Sequence, residues 1–241
     1  MLKAKPFIRS IQLKEGFETD SYPFSIPAVG QLDEMHFHED VTFFVGENGS
    51  GKSTVLEAIA QVMGFGAQGG TKNVRIDDAG GSSGLHNFLK AKKSYEQPKD
   101  GYFLRAESFY NVATFMDEVD YLSGYGGRSL HKQSHGESFM ATLLNKFRGK
   151  GLYLLDEPEA ALSPSRQLAA LVRIHDLVQG GSQFIIATHS PILLAYPSAK
   201  IIMFDETGLR QVLYEETEHY SVTRDFLNNY PKRLSQLFSD D

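Results

Sequence analysis

The 241-residue chain contains no cysteine. Disulfides and thiol chemistry are therefore excluded, and a reducing, cytoplasmic setting is the expected one. No stretch has the length and apolarity of a membrane span. The start, Met1-Leu2-Lys3-Ala4-Lys5-Pro6, is not followed by the apolar run of a secretory leader. A basic excess is also missing: 24 Lys and Arg face 30 Asp and Glu, giving a formal charge of −6. General attraction to nucleic acid is thereby excluded, although a local basic patch is not. Internal repeats are absent. So is any long heptad segment, which rules out a hairpin coiled coil.

What is present suits a soluble α/β core, at 41% hydrophobic and 22% charged residues. Strands are expected over 7–13, 41–45, 101–105, 152–155, 183–187, 200–204 and 209–214. Helices are expected over 54–63, 108–121, 137–148, 164–178 and 219–238, the last broken near Pro231. Residues 64–84 are rich in glycine and small polar groups and read as a mobile surface segment. Glycines 124, 126 and 127 separate the two helices around them. Strands alternating with helices predict a layered α/β architecture.

The richest stretch is Gly46-Glu47-Asn48-Gly49-Ser50-Gly51-Lys52-Ser53-Thr54. It fits G-x-x-x-x-G-K-[ST] and lies between a buried strand and a helix. That context points successive backbone N–H groups at an anion, at the positive end of a helix. Lys52 would reach the β- and γ-phosphates of a nucleotide, and the Ser53 hydroxyl would ligate magnesium. A glycine-rich turn without a nucleotide is the plainer alternative.

Two further strand ends carry chemistry. In Gly151-Leu-Tyr-Leu-Leu-Asp156-Glu157-Pro158, Asp156 can hold magnesium and Glu157 can polarise an attacking water. An acidic turn at a strand end is the alternative. In Phe184-Ile-Ile-Ala-Thr188-His189-Ser190-Pro191, His189 can meet the γ-phosphate or the attacking water, or serve structure alone. No Asn-Lys-x-Asp run for guanine recognition is present.

These segments resemble the ATP-binding cassette ATPases. The likeness is closer to the soluble branch of chromosome-maintenance, recombination and recombinational-repair ATPases and small bacterial AAA-type ATPases. It covers most of the chain. The resemblance implies one P-loop head over residues 1–241, with a mixed or parallel sheet and a small helical lobe. Residues 64–135 would include the mobile segment and a signature-side lobe. ATP and Mg2+ are the implied ligands and ATP hydrolysis the implied reaction. Gln133-Ser134-His135-Gly136-Glu137-Ser138 resembles the signature Leu-Ser-Gly-Gly-Gln, with Ser134 and Gly136 matching, His135 in place of Gly and Glu137 in place of Gln. In that family this loop closes over ATP on a partner head, which implies an ATP-dependent homodimer. A helix-capping box at Ser134 and Glu137 is compatible with the same residues.

Glu107 stands near the family's lid glutamine and would be a metal residue. Ser163 replaces an aspartate in the loop after the acidic strand. Phe17, Tyr22 and Phe24 are candidates to stack on adenine. An unidentified protein partner is expected and DNA is an alternative partner, with Lys90, Lys92, Lys93, Lys99 and Arg105 as a small basic cluster. Two other functional readings remain: the ATPase subunit of a membrane transporter, and a nucleotide-sensing module with negligible turnover.

Overall fold

Alternation along the central strands sends side chains to two opposite cores. Val41, Phe43 and Val45 enter one core while Phe44 enters the other. Tyr102 and Leu104 oppose Phe103, and Tyr153 and Leu155 oppose Leu152 and Leu154. Strands buried on both faces read as continuous apolar runs, as these do.

The computed structural model describes residues 5–16, 18, 20–74, 82–118 and 129–239. The elements in chain order are β1 (Ile8–Leu13), α1 (Pro27–Gly30), β2 (Glu34–His36), β3 (Val41–Gly46), α2 (Lys52–Val62), β4 (Leu89–Lys93) and β5 (Asp100–Arg105). They continue as α3 (Phe109–Glu118), α4 (His135–Ala141), β6 (Gly151–Asp156), α5 (Pro164–Gln179), β7 (Gln183–Ala187), α6 (Pro191–Leu194), β8 (Lys200–Asp205), β9 (Gly208–Val212) and α7 (Glu218–Phe238). The main sheet has six strands in the order β5-β6-β7-β3-β8-β9. All neighbours are parallel except β8 and β9, which form an antiparallel hairpin. A separate antiparallel sheet, β2-β1-β4, covers one face together with α2. Helices α3 to α6 cover the other.

Register decides what stands at the working edge. Arg105 lies opposite Asp156, and Asp156 opposite Ala187. Gly46 lies opposite Phe204 at the same ends of β3 and β8. The carboxyl ends of parallel strands are where open α/β sheets hold ligands. Helix α2 is anchored behind the loop by buried Val55, Leu56 and Ile59, each contributing about 1.5–3 kcal/mol.

Several expectations need correction. Residues 64–74 are not loose surface: Phe65 and Val74 are buried, and Gly70 exchanges backbone hydrogen bonds with Phe103 at 2.7 and 3.0 Å. Glycine packs there because the backbones approach closely. The helix expected over 137–148 starts at His135 and relaxes into a π-turn over Thr142–Lys146. The break in α7 falls at Asn229, whose φ of −129° is non-helical, two residues before Pro231. The glycines at 80, 81, 124, 126 and 127, the helix end beyond Glu118, and Phe17 lie outside the described residues.

Candidate active site

The loop from Gly46 to Gly51 turns on left-handed glycines, and Gly46 shows why no side chain fits. Its φ is +146°, and an added Cβ would meet the Phe204 carbonyl oxygen at 2.2 Å and Ser50 Oγ at 2.9 Å. Gly51 caps α2 with no side-chain hydrogen bond, so the first N–H groups of the helix face the loop. Lys52 is buried and folds back, donating from Nζ to the carbonyls of Gly46 and Glu47 at 2.8 Å each. Burial lowers its pKa, opposed by Glu157, Asp156 and Glu159. Ser50 Oγ is buried with no hydrogen-bond partner.

Beside the loop, Ser53 Oγ donates to Asp156 Oδ1 at 2.9 Å. Burial pushes the Asp156 carboxyl up to about 6, against the Ser53 hydrogen bond and the nearby Arg105 charge. Arg105 bridges three carboxylates. It meets Glu57 at 2.9 Å, Glu107 at 3.4 Å and Asp156 at 3.6 Å. Glu57 is on α2, so this guanidinium ties the edge strand β5 to the phosphate-loop helix.

Glu157 follows Asp156 in the left-handed region, at φ 50° and ψ 52°. Its N–H is fixed on the Ala187 carbonyl at 2.9 Å. That turn sends Glu157 away from Asp156, and its Oε1 stands 3.9 Å from His189 Nε2. The His189 backbone is held in turn by Glu159, which accepts from the His189 N–H at 2.5 Å and from Thr188 Oγ1 at 2.7 Å. Burial raises the Glu159 pKa, while those two bonds pull it down.

The loop residues Gly46 to Ser50, together with His189, line a cavity of about 1010 Å³. The β8–β9 hairpin (Asp205–Thr207, Arg210) and the start of α7 (Glu218, His219) form its other walls. ATP fits the loop's chemistry, since backbone donors, a buried lysine and an unpartnered hydroxyl converge there. Magnesium fits the Ser53–Asp156 oxygen pair. Among the described residues no cluster of three or more His, Asp or Glu could hold a metal alone. A metal here would need substrate and water oxygens to complete its shell.

Comparison with known proteins finds similarity in sequence segments and in fold. A family model described as "AAA domain" matches residues 25–107. Another, "AAA domain, putative AbiEii toxin, Type IV TA system", matches residues 137–195. A protein described as "Putative ABC transporter ATP-binding protein" from Methanothermobacter marburgensis is 25% identical over 202 residues, covering 75% of this chain and 71% of that protein. Among solved structures, cbiO1 from Clostridium perfringens, part of the ABC transporter complex cbiONQ, aligns with TM-score 0.51 and 17% identity over 97% and 98% of the two chains. An SMC head bound to the C-winged helix domain of ScpA aligns with TM-score 0.50 and 16% identity over 86% and 98%. The chain is thus similar in two segments to AAA domains and over most of its length to an ABC-type ATP-binding protein. The structural likenesses speak to the fold alone. The ABC transporter G family member STR2 of Medicago truncatula is 24% identical over 79% of the chain, and the chain spans 30% of that protein's length.

The remaining expected site residues stand elsewhere in the fold. Ser134 caps α4 in a full capping box: its Oγ and N–H donate to Glu137 Oε2 at 2.7 and 2.9 Å, and the Glu137 N–H donates back at 3.4 Å. At Gly136 a Cβ would meet Arg166 Nη1 at 2.3 Å and the Ala161 carbonyl oxygen at 2.6 Å. The signature-like loop thus packs directly on the turn that follows the acidic strand. None of Ser134, Gly136 and Glu137 lines the cavity, and neither do Lys52, Ser53, Asp156 and Glu157, which lie beside its phosphate-loop wall. Glu107 also stands apart: its side chain is 85% exposed, with Arg105 between it and Asp156. Ser163 starts α5 without a side-chain cap. Phe24 is buried against Phe88 at 5.1 Å, away from a stacking role, and Tyr22 is exposed. In the basic cluster, Lys92 is paired with Glu34 at 2.7 Å and Lys93 donates to the Val62 carbonyl at 2.9 Å.

Sequence reasoning passed over three residues of this site. Glu159 was legible as the third carboxylate of Asp156-Glu157-Pro158-Glu159. Arg105 was read only as part of a basic cluster, and its pairing depends on strand register. His219, whose Nε2 lies 2.9 Å from His189 Nδ1, has no local signal.

Proposed function

We propose that this head binds ATP with magnesium at residues 46–54, hydrolyses it to ADP and phosphate, and completes each site with a second copy of the chain. The observation carrying this reading is the meeting of Lys52, the Ser53–Asp156 pair and the Glu157–His189 pair at one strand edge. Lys52 would exchange its two carbonyl acceptors for β- and γ-phosphate oxygens. Ser53 and Asp156 would hold magnesium, which when bound neutralises charge on the transferring phosphoryl group. Glu157 is half-exposed and would take a proton from the attacking water. His189 would donate from Nε2 to the γ-phosphate. Glu107 enters this scheme only through Arg105.

Ser134 and Glu137 are exposed at the start of α4, which supports a role toward the ATP of a second copy. Two heads would pair isologously, each loop meeting the other's phosphates. Such closure would drive a conformational change in a protein partner in the cytoplasm. The test is phosphate release with magnesium by wild type, Lys52→Ala and Glu157→Gln. Turnover by wild type and its loss in both variants is expected; undiminished release by Glu157→Gln removes Glu157 from catalysis. ATP binding without turnover by wild type would favour the nucleotide-sensing reading.

A transporter role is the second reading, favoured by the names of the relatives above. No helix among the described residues is long and apolar enough to cross a membrane, so other chains would supply the pore. With Lys92 and Lys93 engaged internally, DNA has little support here. Phosphate release with and without duplex DNA tests it.

A further inference from the structure

His189 makes a side-chain contact that its proposed role does not by itself require. Its Nδ1 lies 2.9 Å from Nε2 of His219, with the rings inclined at 54°. A contact of that length needs one nitrogen to donate and the other to accept. The outer nitrogens, His189 Nε2 and His219 Nδ1, are both buried without a hydrogen-bond partner. Both rings line the cavity that the phosphate loop lines.

Only one arrangement of protons suits a donor aimed at phosphate. If His189 Nε2 carries the proton, Nδ1 must accept, and His219 must donate from Nε2. The lone pair is then left on His219 Nδ1. Burial lowers the pKa of both rings, helped by the Lys52 charge and, at His219, by His189 itself. The pair is thus neutral near pH 7, the state in which a tautomer is a defined choice. Glu157, Glu159 and Glu218 act in the opposite direction on one ring or the other.

The start of α7 is built to hold His219 still. Thr217 is buried; its hydroxyl donates to the Tyr214 carbonyl at 2.7 Å and accepts from the Tyr220 N–H at 3.3 Å. Tyr214 in turn donates from its hydroxyl to the Pro191 carbonyl at 2.8 Å, two residues beyond His189. Helix α7 and the His189 loop are therefore joined twice.

We propose that His219 is a positioning residue for this ATPase: by donating from Nε2 it fixes the His189 ring with its own Nε2–H directed at the γ-phosphate. The inference rests on the proposed hydrolysis at this site. Glutamine can place an amide donor near the position of a histidine Nε2, whereas alanine cannot.

The experiment measures ATP affinity, kcat and KM for wild type, His219→Ala, His219→Gln and Lys52→Ala, with ring 15N NMR of His189 in the first three. His219→Ala is expected to lower kcat at least about tenfold while ATP affinity stays within about threefold. His219→Gln is expected to recover most of kcat. The His189 ring should be the Nε2–H tautomer in wild type and His219→Gln, and a mixture in His219→Ala. Wild-type kcat in His219→Ala, or an unchanged His189 tautomer there, overturns the proposal, as does a folded His219→Gln no better than His219→Ala. If Lys52→Ala hydrolyses like wild type, the proposed function itself fails. If wild type shows no turnover, the tautomer comparison still decides the role of His219.

Discussion

Replacing Asp156 by asparagine should stabilise the nucleotide-free protein while removing its magnesium-dependent activity. The carboxyl is buried, 8% exposed, and its pKa rises from 3.8 to about 6 on folding. A raised acid pKa means that the folded state favours the protonated form. The penalty for ionisation is absent below 3.8, grows through the interval, and is complete above 6. Its size is about 3 kcal/mol at pH 7.5 and roughly half that at pH 5. Asparagine keeps an oxygen acceptor for Ser53, at the cost of the 3.6 Å contact with Arg105, which still has Glu57. For a chain of this size the gain in Tm is up to about 10 °C at pH 7.5. Scanning calorimetry with a chelator, at pH 7.5 and pH 5, reads it. An unchanged or lowered Tm at pH 7.5, or a gain that does not shrink at pH 5, would refute the reasoning.

Lys52→Ala should weaken ATP binding at least about a hundredfold, because it deletes the one buried cation that the phosphates meet in the loop; calorimetric titration checks it. Gly136→Ala should destabilise the protein by about 1–3 kcal/mol, since the new Cβ collides with the Ala161 carbonyl oxygen at 2.6 Å; urea unfolding reads the loss, and a neutral result would show that the turn after Glu157 yields. Glu57→Gln should leave Arg105 to Asp156 and Glu107 and loosen α2 from β5, at about 1–3 kcal/mol, given the 2.9 Å contact between two largely buried side chains.

The strands β3, β5, β6 and β7 were legible as short continuous apolar runs because each is buried on both faces, whereas the split of their side chains between two cores was not. Each candidate site segment was legible because an apolar strand run ends there and a short polar turn follows, offering a loop, a carboxylate pair or a histidine. What was not legible depends on register and on distant packing. Arg105 became a bridge to Asp156 only because β5 pairs with β6 in the register that sets those two residues opposite. His219 approached His189 because α7 begins beside α6, a contact made 30 residues downstream. The glycine-rich reading of residues 64–74 missed that glycine also serves close backbone pairing, as Gly70 does on Phe103.

The central claim is a composite site shared by two heads, and light scattering of Glu157→Gln tests it most directly. With ATP and magnesium at high protein concentration, that variant should have a mass near twice the 26.9 kDa of one chain. Adding Ser134→Arg should return it to one chain, because the bulk of arginine at the capping box obstructs the approach of the γ-phosphate of the second head. A Glu157→Gln protein that binds ATP and stays monomeric would contradict the account.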